Sequence, residues 1–208
     1  MSQTSTTLFL VRHGQTHWNV ERRLQGHLNS PLTETGKRQA LAAGEALKER
    51  PITAAFTSPS GRAMETAKGI IGSRNIPLAP VEGLREIGLG PLEGLPIEEA
   101  EKRHPKACRD FWQAPHHFSL SGAERFSQVQ GRVVNAITAL LNTHPGETLL
   151  VVSHAIAIKT ALAFYLKKEL SDLDDIRLPE NGRILTLTAD DRGLTLLNPE
   201  SCLIAHGV

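Results

Sequence analysis

Two apolar runs in this 208-residue chain stop in the same abrupt way. Leu8-Phe9-Leu10-Val11 runs into Arg12-His13-Gly14, and Thr148-Leu149-Leu150-Val151-Val152 runs into Ser153-His154-Ala155. A short, continuous apolar run reads as a strand buried on both faces, as in a parallel sheet covered by helices. Each run therefore delivers a histidine where a buried strand surfaces. Ligands of open α/β sheets bind beyond the carboxyl ends of the strands. Two histidines and an arginine at one such edge would form a cationic pocket that contains a nucleophile.

The remaining pattern alternates strands with helices. A strand is predicted over 7–12, then a helix from Thr33 to Arg50, capped by Thr33, with Glu34 in its first turn and Leu41, Leu47 and several alanines on its apolar face. A strand from Ile52 to Thr57, a turn at Ser58-Pro59-Ser60 and a helix from Arg62 to Ile71 follow. Residues 72–121 hold six of the twelve prolines and are expected to be irregular, with short helices over a sheet edge. Phe126, Val129, Val133, Ile137, Leu140 and Leu141 recur at helical spacing and predict a helix over 123–142, ended by Pro145-Gly146. A strand over 148–152, a helix from about His154 to Lys167, and a hairpin of 183–188 with 194–197 around Asp190-Asp191-Arg192-Gly193 complete the reading. The predicted class is an α/β three-layer sandwich: a mostly parallel central sheet, helices on both faces and an antiparallel edge. With no repeat or low-complexity linker, residues 1–208 are expected to form one domain.

Composition excludes more than it selects. A net charge of +1 with 22% charged residues gives no global case for nucleic acid or an anionic membrane, so any anion site must be local. No apolar stretch reaches the length of a membrane span, and the first seven residues lack the features of a signal peptide. Cys108 and Cys202 form neither a disulfide framework nor a Cys-x-x-Cys pair. The expectation is a soluble, cytoplasmic protein. Its oligomeric state stays open, a homodimer included.

Arg12-His13-Gly14 joins a bidentate phosphate binder, a nucleophile and a residue that permits close backbone approach. Gln15, Thr16 and Asn19 can add neutral donors to the same anion, whereas the plain alternative makes His13 an ordinary loop histidine. His154 falls at a helix start, where free N–H groups favour anions, although Ser153 could cap that helix with His154 incidental. Arg62 follows the strand at 52–57 and taken alone reads as a solvated arginine. Glu86, among apolar neighbours and glycines, can serve as a proton donor if partial burial raises its pKa, or can pair with a nearby arginine. Three strand ends that each present a basic residue, plus one carboxyl, make the combination more telling than its parts. His13, His154 and Glu86 also suit a metal, but Arg12 and Arg62 would repel it, so no metal or cofactor is expected.

The motifs Leu10-Val11-Arg12-His13-Gly14-Gln15-Thr16-x-Trp18-Asn19, Leu32-Thr33-Glu34-x-Gly36, Thr57-Ser58-Pro59-x-x-Arg62-Ala63-x-x-Thr66-Ala67, Leu84-x-Glu86-Ile87-x-x-Gly90-x-x-Glu93-Gly94 and Val151-Val152-Ser153-His154 resemble, in order, the histidine phosphatase superfamily. This is the phosphoglycerate-mutase-like family, and the chain resembles its broad-specificity and α-ribazole phosphatases. The resemblance implies that His13 accepts the phosphoryl group, that Arg12, Arg62 and a protonated His154 hold its oxygens, and that Glu86 protonates the leaving group and then activates water. It adds Asn19, Gln25, Gly26 and Ala155 as substrate contacts and a variable lid at about 88–125. The implied activity is metal-independent hydrolysis of a small phosphomonoester through a phosphohistidine. Only 68 positions separate Glu86 from His154, compact for a cofactor-dependent phosphoglycerate mutase, which is the alternative. A non-catalytic phospholigand-binding module is a third reading, disfavoured because every catalytic position is filled. Arg125 replaces the small hydroxyl residue usual before the long helix and either adds positive charge near the mouth or, the favoured reading, faces solvent; Phe111, Trp112, His116, His117 and Phe118 either shape the lid or pack beneath it.

Overall fold

The structure is a computed structural model and describes residues 5–177, 179–190 and 193–197. In chain order these form β1 (Thr6–Arg12), α1 (His17–Val20), α2 (Glu34–Ala46), β2 (Ala54–Thr57), α3 (Gly61–Ile71), β3 (Leu78–Pro80), α4 (Ile97–Arg103), α5 (Pro105–Gln113), α6 (Phe126–Thr143), β4 (Thr148–Ser153), α7 (Ala155–Tyr165), β5 (Ile184–Asp190) and β6 (Gly193–Leu196). The strands make one sheet in the order β3-β2-β4-β1-β5-β6. The two apolar runs are parallel neighbours, in register from Thr7 opposite Thr148 to Arg12 opposite Ser153. β2 pairs parallel with both β3 and β4, while β5 runs antiparallel to β1 and β6 antiparallel to β5.

The runs are continuous because both faces of the sheet are covered. Leu8, Leu10, Phe56, Leu149 and Val151 pack on one face with Val129, Val133 and Ile137 of α6 and with Ile158, Ala161 and Leu162 of α7. Phe9, Val11, Ala55, Leu150 and Val152 pack on the other with Ala43, Leu47, Ala63, Ala67 and Ile70 from α2, α3 and the turn between α2 and β2. Alternate side chains point to opposite faces of a strand, so two cores share one sheet. Each large apolar side chain buried this way contributes roughly 1.5–3 kcal/mol. The three-layer α/β sandwich is therefore what the alternation predicted.

The departures have local causes. α2 ends at Ala46 rather than Arg50, and Leu41 is 61% exposed. The buried stripe runs Gly36, Ala40, Ala43, Leu47, and Leu41 falls a third of a turn away from it. α6 begins at Phe126, since the Glu124 N–H is drawn out to the Gly88 carbonyl. Within 72–121 the structure has short helices as expected, and also β3, which was not foreseen. Pro80 closes that strand at the sheet edge, the place where a missing N–H is tolerated. Ser153 ends β4 and donates its hydroxyl to the Leu84 carbonyl (2.8 Å), leaving His154 as the residue that caps α7. Asp191 and Arg192, at the expected hairpin turn, and Cys202 lie outside the described residues. Among the described residues no helix is long and apolar enough to cross a membrane.

Candidate active site

β2, β4 and β1 lie side by side and point the same way, so the residues that follow them converge. The ladder runs on into the site: His13 N–H donates to the Ser153 carbonyl (3.0 Å), and Ser58 N–H donates to the Val152 carbonyl (2.9 Å). The rings of His13 and His154 stand 5.1 Å apart and tilted by 60°. Arg62 enters from the first turn of α3; it is 1% exposed, where a solvated arginine would be open to water.

His13 Nδ1 lies 2.7 Å from the Gly14 carbonyl. A carbonyl only accepts, so Nδ1 carries the proton and Nε2 keeps its lone pair. Gly14 is fixed in turn, its N–H donating to Thr66 Oγ1 (2.9 Å), and a Cβ added to it would stand 2.5 Å from the Gly36 carbonyl oxygen. Burial, reinforced by Arg62 and Arg12, holds His13 well below the usual histidine range, against a smaller opposite pull from its bond to Gly14. The free ring is therefore neutral, as a nucleophile must be. His154 is likewise held well below that range by burial, then by Arg62, His13, Arg12 and Arg132. This corrects the expectation of a protonated His154: no described carboxylate pairs with the buried ring, so its charged form has nothing to offset desolvation.

The arginines are anchored and incompletely satisfied. Arg12 donates Nη1 to the Pro179 carbonyl (2.8 Å), and Arg62 donates Nη1 to Leu28 (2.6 Å) and Nη2 to Gly26 (2.8 Å). Burial lowers both guanidinium pKa values, that of Arg62 to about 10, with Glu86 opposing the shift, so both stay charged at neutral pH. Arg12 Nε, Arg62 Nε and His154 Nδ1 are buried without a partner. An unpaired buried polar atom costs about 1–3 kcal/mol, and the two guanidinium donors among these are what an anion at the converging strand ends would satisfy.

Glu86 accepts N–H bonds from Ile87 (3.0 Å), Ile156 (3.2 Å) and Ala157 (3.1 Å), which places its carboxylate on the first turn of α7. Among the described residues it forms no ion pair within 4 Å, so the arginine-paired alternative is not what the structure shows. Arg132 of α6 holds the loop that carries it, donating to the carbonyls of Gly83, Arg85 and Glu86 and to both oxygens of Glu124.

These groups open into a cleft of about 220 Å³. Arg12, His13, Asn19, Gln25, Gly26, Arg62, Glu86 and Ala155 line it, while His154, with no exposed surface, stands behind. Most of the other lining is apolar: Trp18, Leu24, Ile87, Leu89, Ile97, Phe111, Trp112 and Ile156, with Arg22 and Arg23. Asn19 spends its Oδ1 on Thr16, while Gln25 leaves a buried oxygen unpartnered. Gly26 needs its positive φ of 52° and its missing Cβ, because the Glu93 carboxylate packs against it. Gln15 and Thr16 do not line the cleft: Gln15 accepts from the Thr33 hydroxyl (2.9 Å) and Thr16 caps α1. Arg125 is exposed, as expected. The aromatic segment divides. Phe111 and Trp112 line the cleft, Phe118 is buried against Phe111 and Phe126, and His116 and His117 are exposed, their rings in contact but tilted by 46°.

Sequence reasoning missed several supporting residues. Ser58 and Ser60, read only as a turn, bond to His154. Asn181 donates to the His13 carbonyl (2.9 Å), and Glu93 accepts from the N–H groups of His27 and Leu89. Small hydroxyls directly after a buried strand were the one available signal; the others depend on tertiary contact.

Comparison with known proteins agrees with this geometry. The profile of the histidine phosphatase superfamily (branch 1) matches residues 8–200. The structure of YhfR from Bacillus stearothermophilus superposes with a TM-score of 0.91 at 40% identity, covering 92% of this chain and 95% of that one. A metal-independent phosphoserine phosphatase of Arabidopsis thaliana is 35% identical over 78% of this chain and 68% of its own length. A probable phosphoglycerate mutase, GpmB of Cronobacter sakazakii, is 34% identical over 73% and 70%. With the ordered motifs, the converging strand ends and the matched profile in agreement, this chain belongs to the histidine phosphatase superfamily.

Proposed function

We propose that this protein is a metal-independent phosphatase that hydrolyses small phosphomonoesters through a phosphohistidine at His13. The observation that carries the reading is the buried His13, neutral, with Nδ1 tied to Gly14 and Nε2 free, beside three unpartnered nitrogens of Arg12, Arg62 and His154. In the first step the Nε2 lone pair attacks phosphorus as the ester P–O bond breaks, and the leaving oxygen takes a proton from the Glu86 carboxyl. In the second, the Glu86 carboxylate accepts a proton from water, whose oxygen attacks phosphorus; the P–N bond breaks and returns its electron pair to Nε2. Arg12 and Arg62 spread the charge of the phosphoryl oxygens, the largest catalytic effect expected of such a site. Oε1 of Glu86 accepts two of its three N–H bonds and Oε2 only one, so Oε2 has the capacity left to carry the transferred proton.

Asn19, Gln25, Gly26 and Ala155 are assigned to substrate contact because they line the same cleft. The variable segment 88–125 is assigned as a lid, since Leu89, Ile97, Phe111 and Trp112 bring it to the cleft. Hydrolysis is preferred over mutase activity because the chain between Glu86 and His154 is short. The test is turnover of 4-nitrophenyl phosphate in EDTA, with trapping of an acid-labile, base-stable phosphoprotein. His13→Ala is expected to abolish both; turnover at the wild-type rate in that variant would refute the mechanism. Interconversion of 2- and 3-phosphoglycerate outpacing hydrolysis would select the mutase.

A further inference from the structure

His154 presents a problem of hydrogen-bond direction. Held well below the usual histidine range by burial and by Arg62, His13 and Arg12, it is neutral in the free protein, so one ring nitrogen is a donor and the other an acceptor. A proton on Nδ1, the buried nitrogen without a partner, makes the ring a donor to a phosphoryl oxygen that enters beside His13, whose ring stands 5.1 Å away. A lone pair there would repel that oxygen. The tautomer therefore decides whether the ring supports or opposes phosphate binding.

The surroundings of Nε2 address that choice. Ser58 Oγ lies 2.8 Å from Nε2, Ser60 Oγ lies 3.3 Å from it, and the two hydroxyls are 3.4 Å apart. Ser58 and Ser60 are both buried, so no solvent competes for these bonds. If Nε2 held the proton, Ser58 Oγ would accept from it and also from the Ser60 N–H (3.4 Å), and its own proton would go to Ser60 Oγ at 3.4 Å. With the proton on Nδ1, Ser58 donates along its shortest bond and accepts from Ser60 N–H, and Ser60 supplies a second hydroxyl toward Nε2. The 2.8 Å contact matches the length usual for a hydroxyl donor (about 2.7–2.8 Å) better than that for an N–H donor (about 2.9–3.0 Å), which favours the second arrangement.

We propose that Ser58, seconded by Ser60, is a positioning residue that fixes His154 in the tautomer with its proton on Nδ1, so that the ring donates to a phosphoryl oxygen without carrying a charge. The proposal rests on the reading of the cradle as a phosphoryl site. It gives the Ser58-Pro59-Ser60 turn a role beyond linking β2 to α3. The two arginines then supply the charge, and His154 supplies direction.

Long-range ¹H–¹⁵N correlation spectra of the labelled wild-type protein, with His154 assigned by difference against His154→Gln, test the proposal without any turnover. At neutral pH, Nδ1 should be of the protonated, pyrrole type and Nε2 of the unprotonated, pyridine type. A protonated Nε2, alone or together with Nδ1, overturns it. In Ser58→Ala the tautomers should mix, with inorganic phosphate inhibiting about tenfold more weakly; Ser58→Ala with Ser60→Ala should weaken it further. Unchanged tautomer and unchanged phosphate inhibition in the double variant overturn the role of the serines. If the wild-type spectrum is as expected but 4-nitrophenyl phosphate is not turned over, the phosphatase reading fails instead.

Discussion

His13 and His154 are 3% and 0% exposed, and burial is the first cause of the low pKa of each. That has a cost in stability. In the unfolded chain each ring binds a proton near pH 6.5, whereas in the fold it does so only at lower pH. Below about pH 6.5 the unfolded state therefore holds more protons, and stability falls as pH falls until the folded pKa is reached. Between pH 7.5 and 5.5 each ring should cost stability, with a ceiling of about 1.4 kcal/mol set by the titration of the unfolded chain. Urea unfolding of the ligand-free protein at these two pH values measures the loss, and His154→Gln should lose less than wild type over the interval. Equal losses in the two proteins would show that His154 titrates normally in the fold. At this scale the sequence was legible where chemistry-bearing side chains directly follow a strand, as Arg12, His13 and His154 do. The charge state of His154 was not, because it depends on how deeply the sheet and its helices enclose the ring.

Glu86 reaches the cleft through contacts between elements rather than through its own. Its loop follows a short 3-10 turn at 82–84, and Arg132, from the second turn of α6, clamps three carbonyls of that loop along with Glu124. Arg132→Met removes these bonds, leaves a half-buried carboxylate without its cation and frees the loop that carries Glu86. The expected result is a kcat lower by about 10–100-fold with KM changed much less, because a displacement near 1 Å at the reacting group has that effect. A loss of about 1–3 kcal/mol in stability should accompany it. Steady-state kinetics of Arg132→Met, Glu86→Gln and the double variant test the link. If both act through the same proton, their effects combine less than additively; full additivity would separate Arg132 from Glu86. Strands β1, β2 and β4 and helices α3, α6 and α7 were legible because their apolar periodicity is their packing. α4, α5 and β3 were not, since the prolines around them mask the pattern and β3 takes its strand character only from lying beside β2.

Across the whole molecule, one end of the cleft is made by the sheet and the rest by the segments that cross it. Strand ends and helix starts supply its polar groups; Trp18, Leu24, Ile97, Phe111 and Trp112, contributed from α1, α4, α5 and the loops, supply apolar surface. The volume of about 220 Å³ lies below the roughly 300–1,000 Å³ typical of sites for drug-sized ligands, which favours a compact leaving group over a nucleotide or a protein side chain in a folded surface. Apart from the groups assigned to the phosphoryl cradle, the polar side chains of the lining are Arg22, Arg23 and Gln25, with no serine, threonine, tyrosine or aspartate. A sugar entering it would exchange water for apolar surface at several hydroxyls, and each hydroxyl left unpaired costs about 1–3 kcal/mol. A flat apolar group gives up little water and gains contact with the two tryptophans. Phenyl phosphate should therefore exceed glucose 6-phosphate in kcat/KM by about 100-fold or more, the scale at which unpaired polar groups discriminate. Trp112→Ala should narrow that ratio by lowering the rate on the aryl ester while leaving the sugar ester nearly unchanged. Equal rates on the two esters in the wild type would mean that the apolar wall moves aside during turnover, and that specificity is set at the phosphoryl cradle alone.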